Sequence, residues 1–76
     1  MTDDDNMDIE VEKSYPAAAV AAKLRRLADA LEAGRGFGIQ IAGRRIRVPA
    51  DATVEFEYQR DGDGEEVEIE LKWQRR

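Results

Sequence analysis

Apolar and polar positions alternate strictly near the end of the chain, where Val67, Ile69, Leu71 and Trp73 interleave with Glu66, Glu68, Glu70 and Lys72. Side chains of a strand project to opposite faces with period two, so this run predicts a strand over 65–73 with one apolar and one charged face. Upstream, Val54, Phe56 and Tyr58 alternate with Glu55, Glu57 and Gln59, predicting a partner strand over 53–60. Asp61-Gly62-Asp63-Gly64 turns one into the other, and the parity of the two apolar sets requires an even loop. With Gly62-Asp63 as that loop, Tyr58 faces Val67, Phe56 faces Ile69 and Val54 faces Leu71. The same register sets Glu57 opposite Glu68 and Glu55 opposite Glu70. Like charges in those positions are unfavourable, and Arg45, Arg47 and Lys72 are the cations expected to relieve them.

Earlier segments read as cover for this hairpin. Ile9 and Val11 alternate with Glu10 and Glu12, predicting a first strand over 8–13. Ser14-Tyr15-Pro16 marks a helix start, with Ser14 as the cap and Pro16 in the first turn. The helix is expected over 15–33. Val20, Leu24, Leu27 and Leu31 form its apolar stripe, Ala17, Ala21 and Ala28 widen it, and Lys23, Arg25, Arg26, Asp29 and Glu32 point away. Gly34 supplies a left-handed stop. Phe37, Ile39 and Ile41 then alternate with Gly38, Gln40 and Ala42, Gly43 turns the chain, and Ile46 and Val48 alternate with Arg45 and Arg47 until Pro49 ends that strand. The predicted fold is α+β in the order β-α-β-β-β-β, an antiparallel five-stranded sheet with one helix packed across one face and a two-layer core. The first strand can pair beside 65–73 or beside 37–42, and the former is preferred because it keeps every pair antiparallel.

Composition narrows the chemistry. Seventy-six residues make a single domain, expected over 8–74 behind a disordered acidic tail at 1–7 that carries Asp3, Asp4 and Asp5. At this size the core alone gives only marginal stability. Cysteine and histidine are both absent, which excludes disulfides, thiolate nucleophiles, Cys/His zinc sites and imidazole catalysis. A net charge of −5, from 17 acids and 12 bases, argues against nucleic-acid binding, which needs a basic surface. No leader and no apolar run of about 20 residues is present, so no membrane contact is expected and the protein reads as cytoplasmic. Three lysines among the bases, with many acids and alanines, fit a salt-adapted or GC-rich source. No cofactor is expected.

The acid face of the sheet is the first candidate site, with Glu10, Glu12, Glu55, Glu57, Glu66, Glu68 and Glu70 projecting from it. The bland reading is a solvated, salt-screened surface, because any one-sided antiparallel sheet alternates in this way. The functional readings are a docking surface for a basic protein partner, centred on Glu55, Glu57, Glu68 and Glu70, and a hard-cation or acid-base site. The run from Asp61 to Glu66 superficially resembles a calcium loop, but it lies between two strands and reads as the hairpin turn. Gly34-Arg35-Gly36-Phe37-Gly38 follows a helix, the reverse of a phosphate cradle, which leaves a small anion at Arg35 as its functional alternative. Trp73 is a core lid by parity, or an anchor for another chain by its place at the end of the last strand.

Val67-Glu68-Ile69-Glu70-Leu71-Lys72-Trp73, preceded by Val54-Glu55-Phe56-Glu57-Tyr58 and by Val48-Pro49, resembles the amphi-Trp domain family, named for an alternating strand that ends in Trp. The likeness runs from Asp8 to Trp73. It implies the helix-and-hairpin fold and membership of a group of small prokaryotic, notably archaeal, proteins without an assigned activity, and it implies no catalytic residue. The expected function is therefore a non-enzymatic interaction module acting as a homodimer. The competing reading is a small-ligand or cation-binding protein that uses the acid face, and an enzyme built on paired glutamates ranks third.

Overall fold

The computed structural model describes residues 8–75, so the tail expected at 1–7 lies outside the described residues. Helix α1 spans Ala17–Ala33, a stretch whose alanines and leucines favour the helical state. It starts two residues later than predicted, with Pro16 as N-cap at φ −58° and ψ 150°. Proline pushes the residue before it out of the helical region, which excludes Tyr15. The Pro16 carbonyl accepts from the N–H groups of Ala19 and Val20. No side chain caps the helix, so the role expected of Ser14 is not realised. At the other end Gly34 takes φ 67° and ψ 34° as predicted. The Gly34 N–H then reaches the Leu31 carbonyl and the Arg35 N–H reaches that of Ala30, which closes the helix in a Schellman arrangement.

Strand β1 (Phe37–Ile41) pairs antiparallel with β2 (Arg44–Val48), setting Ile39 against Ile46 and Phe37 against Val48. Strand β3 (Thr53–Asp61) pairs antiparallel with β4 (Gly64–Lys72) in the register read from the sequence, with Tyr58 on Val67, Phe56 on Ile69, Val54 on Leu71, Glu57 on Glu68 and Glu55 on Glu70. Ala42, expected in the strand, sits instead in the turn with Gly43, at φ 52° and 78° respectively. Two successive positive φ values are the mark of a type I′ hairpin.

The five-stranded sheet does not form. The fold is α+β, with one helix and two separate two-stranded antiparallel sheets, β1-β2 and β3-β4, and residues 8–13 belong to no strand. Side chains account for this. Two carbonyls of β1 that face away from β2, and the amide of the turn residue that follows, are already bonded: Arg26 donates to the Gly38 carbonyl, Lys23 donates to the Gln40 carbonyl at 2.9 Å, and the Ala42 N–H donates to the Tyr15 hydroxyl at 3.0 Å. The ammonium groups of Lys13 and Lys23 lie over the Tyr15 ring, 5.2 and 4.7 Å from its centre. These side chains occupy the acceptors that a strand beside β1 would need. Pairing beside β4, the preferred alternative, sets Glu10 and Glu12 against Glu66, Glu68 and Glu70, which like-charge repulsion disfavours.

The two-layer core is correspondingly thin. Leu27 and Ala30 of α1 and Val48 of β2 are the buried apolar side chains among the described residues, and α1 packs on β1. Gly36 lets the chain leave the helix close against β2, since a Cβ there would stand 2.6 Å from the Val48 carbonyl oxygen. The radius of gyration is 14.5 Å, against about 11 Å for a compact chain of this length.

Ala42 generates a direct test. A left-handed alanine costs roughly 1 kcal/mol, whereas Asn-Gly suits a type I′ turn. Ala42→Asn is expected to raise Tm by about 4–8 °C, the shift that ~1 kcal/mol gives a domain of this size, and Ala42→Val to lower it. Thermal melts followed by circular dichroism check both, and an unchanged Ala42→Asn melt would overturn the assigned turn.

Candidate functional site

The β3-β4 hairpin has two faces of opposite chemistry, and both lie open. On one, Phe56 is 77% exposed, Val67 71% and Tyr58 58%. These side chains belong to the apolar set that the sequence assigned to the core. The Tyr58 hydroxyl donates to Glu65 Oε1 at 2.8 Å, and this bond, followed by burial, raises the tyrosine pKa above its ordinary value. Where β4 approaches the helical layer, a groove of about 380 Å³ opens between α1, the β1-β2 sheet and β4. Leu24, Leu27, Ile39, Ile46, Ile69 and Trp73 are among its walls. Trp73 is half-buried there and also lies near Arg47 and Pro49. It is thus part lid and part exposed edge, between the two roles expected of it.

The opposite face holds the predicted glutamates. Carboxylate oxygens of Glu57, Glu68 and Glu70 all lie within 4.8 Å of one another, the single such acidic group among the described residues. Cross-strand pairing creates it, because Glu57 lies opposite Glu68 and Glu70 follows two positions along the same face. Lys72 supplies the relief, with Nζ 3.1 Å from Glu55 and 3.8 Å from Glu70. The Glu55 hydrogen bond and charge, with the Glu70 charge, raise the Lys72 pKa against a smaller opposing effect of burial. Arg45 and Arg47, also expected to help, form no ion pair with these acids. The Arg45 guanidinium turns over its own sheet toward Gly38, where a Cβ would meet Nη2 at 3.0 Å.

Glu68 bears the cost of this crowding. The charge of Glu66 raises its pKa most, followed by burial, the charges of Glu57 and Glu70, and the hydrogen bond that protonated Glu68 donates to Glu66. Glu55, Glu57, Glu68 and Glu70 therefore form one patch, while Trp73 belongs to the apolar groove and not to that patch. Asp61, Asp63 and Glu65 are absent from the acidic group and serve the turn. In the glycine-rich stretch considered for a small anion at Arg35, the Gly34 and Arg35 N–H groups are spent on helix carbonyls.

Chemically, three convergent carboxylates present oxygen ligands of the kind a hard cation takes, and the other face presents aromatic and aliphatic surface. Parity assigned Phe56, Tyr58 and Val67 to a core without asking how much cover was at hand. A helix of 17 residues is about 25 Å long and about 10 Å across, the width of two strands at ~4.8 Å spacing. That comparison was available in the sequence. No sequence signal pointed to Tyr15, Lys23 and Arg26 as the closure of the β1 edge.

A raised carboxyl pKa means that Glu68 holds its proton more tightly folded than unfolded. Its contribution to stability is complete below the ordinary value of 4.5 and is lost as pH rises through the raised folded value. Glu68→Gln is therefore expected to melt above wild type at neutral pH, with the gap shrinking as pH falls toward 4.5. Added potassium chloride should raise the wild-type Tm more than that of the variant. Melts across pH and salt check this, and parallel curves for the two proteins would refute it.

Among curated proteins and among solved structures, nothing matches the chain. The model of one protein family matches over residues 1–76, its whole length. On that match, with the alternating strand that runs into Trp73, the chain belongs to the Amphi-Trp domain family.

Proposed function

We propose that this protein is a non-enzymatic interaction module that works as a homodimer, with each copy covering the apolar hairpin face of the other. The exposure of Phe56, Tyr58 and Val67 on one ribbon carries this reading. A two-stranded hairpin is marginal by itself in water, and these side chains stand largely exposed among the described residues. The accessible surface supports it in magnitude. It is 6654 Å², where a compact monomer of 8.6 kDa exposes about 4700 Å². The excess of roughly 2000 Å² per chain is more than the ~800 Å² that each partner contributes to a standard interface. Charge points to a second copy of this chain. The acids of β3 and β4 and the arginines of β2, Arg44, Arg45 and Arg47, are complementary patches on one molecule, and a two-fold axis lets each meet the other twice.

Light scattering or sedimentation over a range of concentrations tests the proposal. Wild type is expected to dimerise, and Phe56→Glu to weaken the dimer at least tenfold, as truncating an interface aromatic does. A wild type that stays monomeric up to ~1 mM, a concentration at which only associations weaker than about −4 kcal/mol escape detection, ends the reading.

A second reading, cation binding on the acid face, draws on the convergence of Glu57, Glu68 and Glu70. Titration calorimetry with calcium, magnesium and manganese is expected, on that reading, to give heat that the triple Gln variant at these positions loses. The same absence of heat in wild type and variant removes it.

A further inference from the structure

We infer that the segment 8–13 of one copy pairs as an additional strand along the open edge of β2 in a second copy. This rests on the homodimer reading above and names the contact that joins the two chains. Three observations meet in it. The segment keeps the alternation of a strand, with Ile9 and Val11 exposed and Glu10 and Glu12 between them, yet it forms no ladder within its own chain. The backbone groups of Arg45 and Arg47 face away from β1, because Ile39–Ile46 and the alternate pairs use the inner edge, and no neighbouring strand takes them. The apolar residues of β2, Ile46 and Val48, face the groove that α1, the β1-β2 sheet and β4 enclose.

Charge selects this edge from those the fold offers. Along the outer edge of β1, Lys23 and Arg26 already hold two carbonyls and Tyr15 holds the Ala42 amide. The free edges of β3 and β4 border Glu55, Glu57, Glu66, Glu68 and Glu70, which repel an acidic strand. Along β2 an antiparallel strand with Val11 opposite Ile46 places Glu10 opposite Arg47 and Glu12 opposite Arg45. Its apolar residues then fall on the groove side, because directly opposed residues share a face.

The chain does not place its own segment there, since 8–13 forms no ladder within it. The Tyr15 hydroxyl instead holds the chain that follows the segment at the opposite, β1, edge of the same sheet. A second copy is free of that tether.

The test uses the full chain, which lacks cysteine, so single cysteines can be introduced cleanly. A Glu10→Cys chain is mixed with an Arg47→Cys chain under mild oxidation, and in parallel Ile9→Asp/Val11→Asp is sized by light scattering. Because 8–13 lies outside the helix and both sheets, this double variant should keep the wild-type circular dichroism. The expected result is a disulfide-linked heterodimer in the mixture and at least a tenfold weaker dimer for the double variant. A double variant that dimerises like wild type, with no mixed disulfide, overturns the strand exchange and leaves the homodimer standing on the hairpin face. A wild type that remains monomeric, with no disulfide, overturns both. A chain carrying both cysteines that closes internally at high dilution shows the segment on its own β2 edge, which also overturns exchange.

Discussion

One helix has to cover four strands, and it is too narrow to do so. At about 10 Å across, α1 is no wider than two strands, it packs on β1, and most of the β3-β4 ribbon is left without a second layer. Every unusual property of the molecule descends from that shortfall. Leu27, Ala30 and Val48 are buried where the helix meets its sheet, and Phe56, Tyr58 and Val67 are exposed where it does not. The extended shape and surplus surface have the same origin, as does the groove between the helical layer and β4.

Electrostatics then decides which edges stay open. Lys23 and Arg26 project from the polar side of α1, but their long stems let them reach the β1 edge and bond its carbonyls. A sheet edge is thereby blunted by side chains instead of by another strand. The arginines of β2 are left unspent on the glutamates of the hairpin, and Lys72 alone bridges Glu55 and Glu70 across the β3-β4 ladder. An acidic ribbon and a basic edge consequently coexist in one small chain. Opposite charges on a single surface are self-complementary, so the same imbalance that crowds Glu68 would suit the second copy proposed above.

Local structure was legible in the sequence to a degree that tertiary structure was not. The register from Val54–Leu71 to Tyr58–Val67 followed from parity and an even loop, and Gly34 stopped the helix by its tolerance of positive φ. Both are decided within a few residues of chain. The five-stranded sheet failed because it depended on non-local choices: which edge the Tyr15 hydroxyl and the Lys23 ammonium would occupy, and whether an acidic strand would accept acidic neighbours. The position of Ala42 shows the same limit at short range. Alternation placed it in the strand, while the I′ geometry of the turn claimed it despite the absence of an Asn or Gly preference there. For the candidate site, parity placed Glu55, Glu57, Glu68 and Glu70 on one patch, and it separated Trp73 from them. It was silent on exposure, because period two assigns a face without saying whether anything lies against it.

Size makes association part of the folding problem. A chain of 76 residues buries too small a fraction of its surface for a wide margin of stability, and here a whole hairpin contributes little to the core. Anything that binds the folded state and not the unfolded one adds stability by mass action. A second copy that covers Phe56, Tyr58 and Val67 would stabilise the ribbon carrying them, so folding and dimerisation would share one free energy and respond together to concentration. Salt would act on this system in two opposed ways. Screening relieves the Glu57–Glu68 and Glu55–Glu70 repulsions inside each chain, and it weakens the attraction between acidic ribbon and arginine edge across chains. The apolar face is not screened at all, and it strengthens with excluded salts. On the dimer reading, such a chain would hold together at high ionic strength through its uncovered hydrophobic surface, and its charges would set the orientation in which two copies meet.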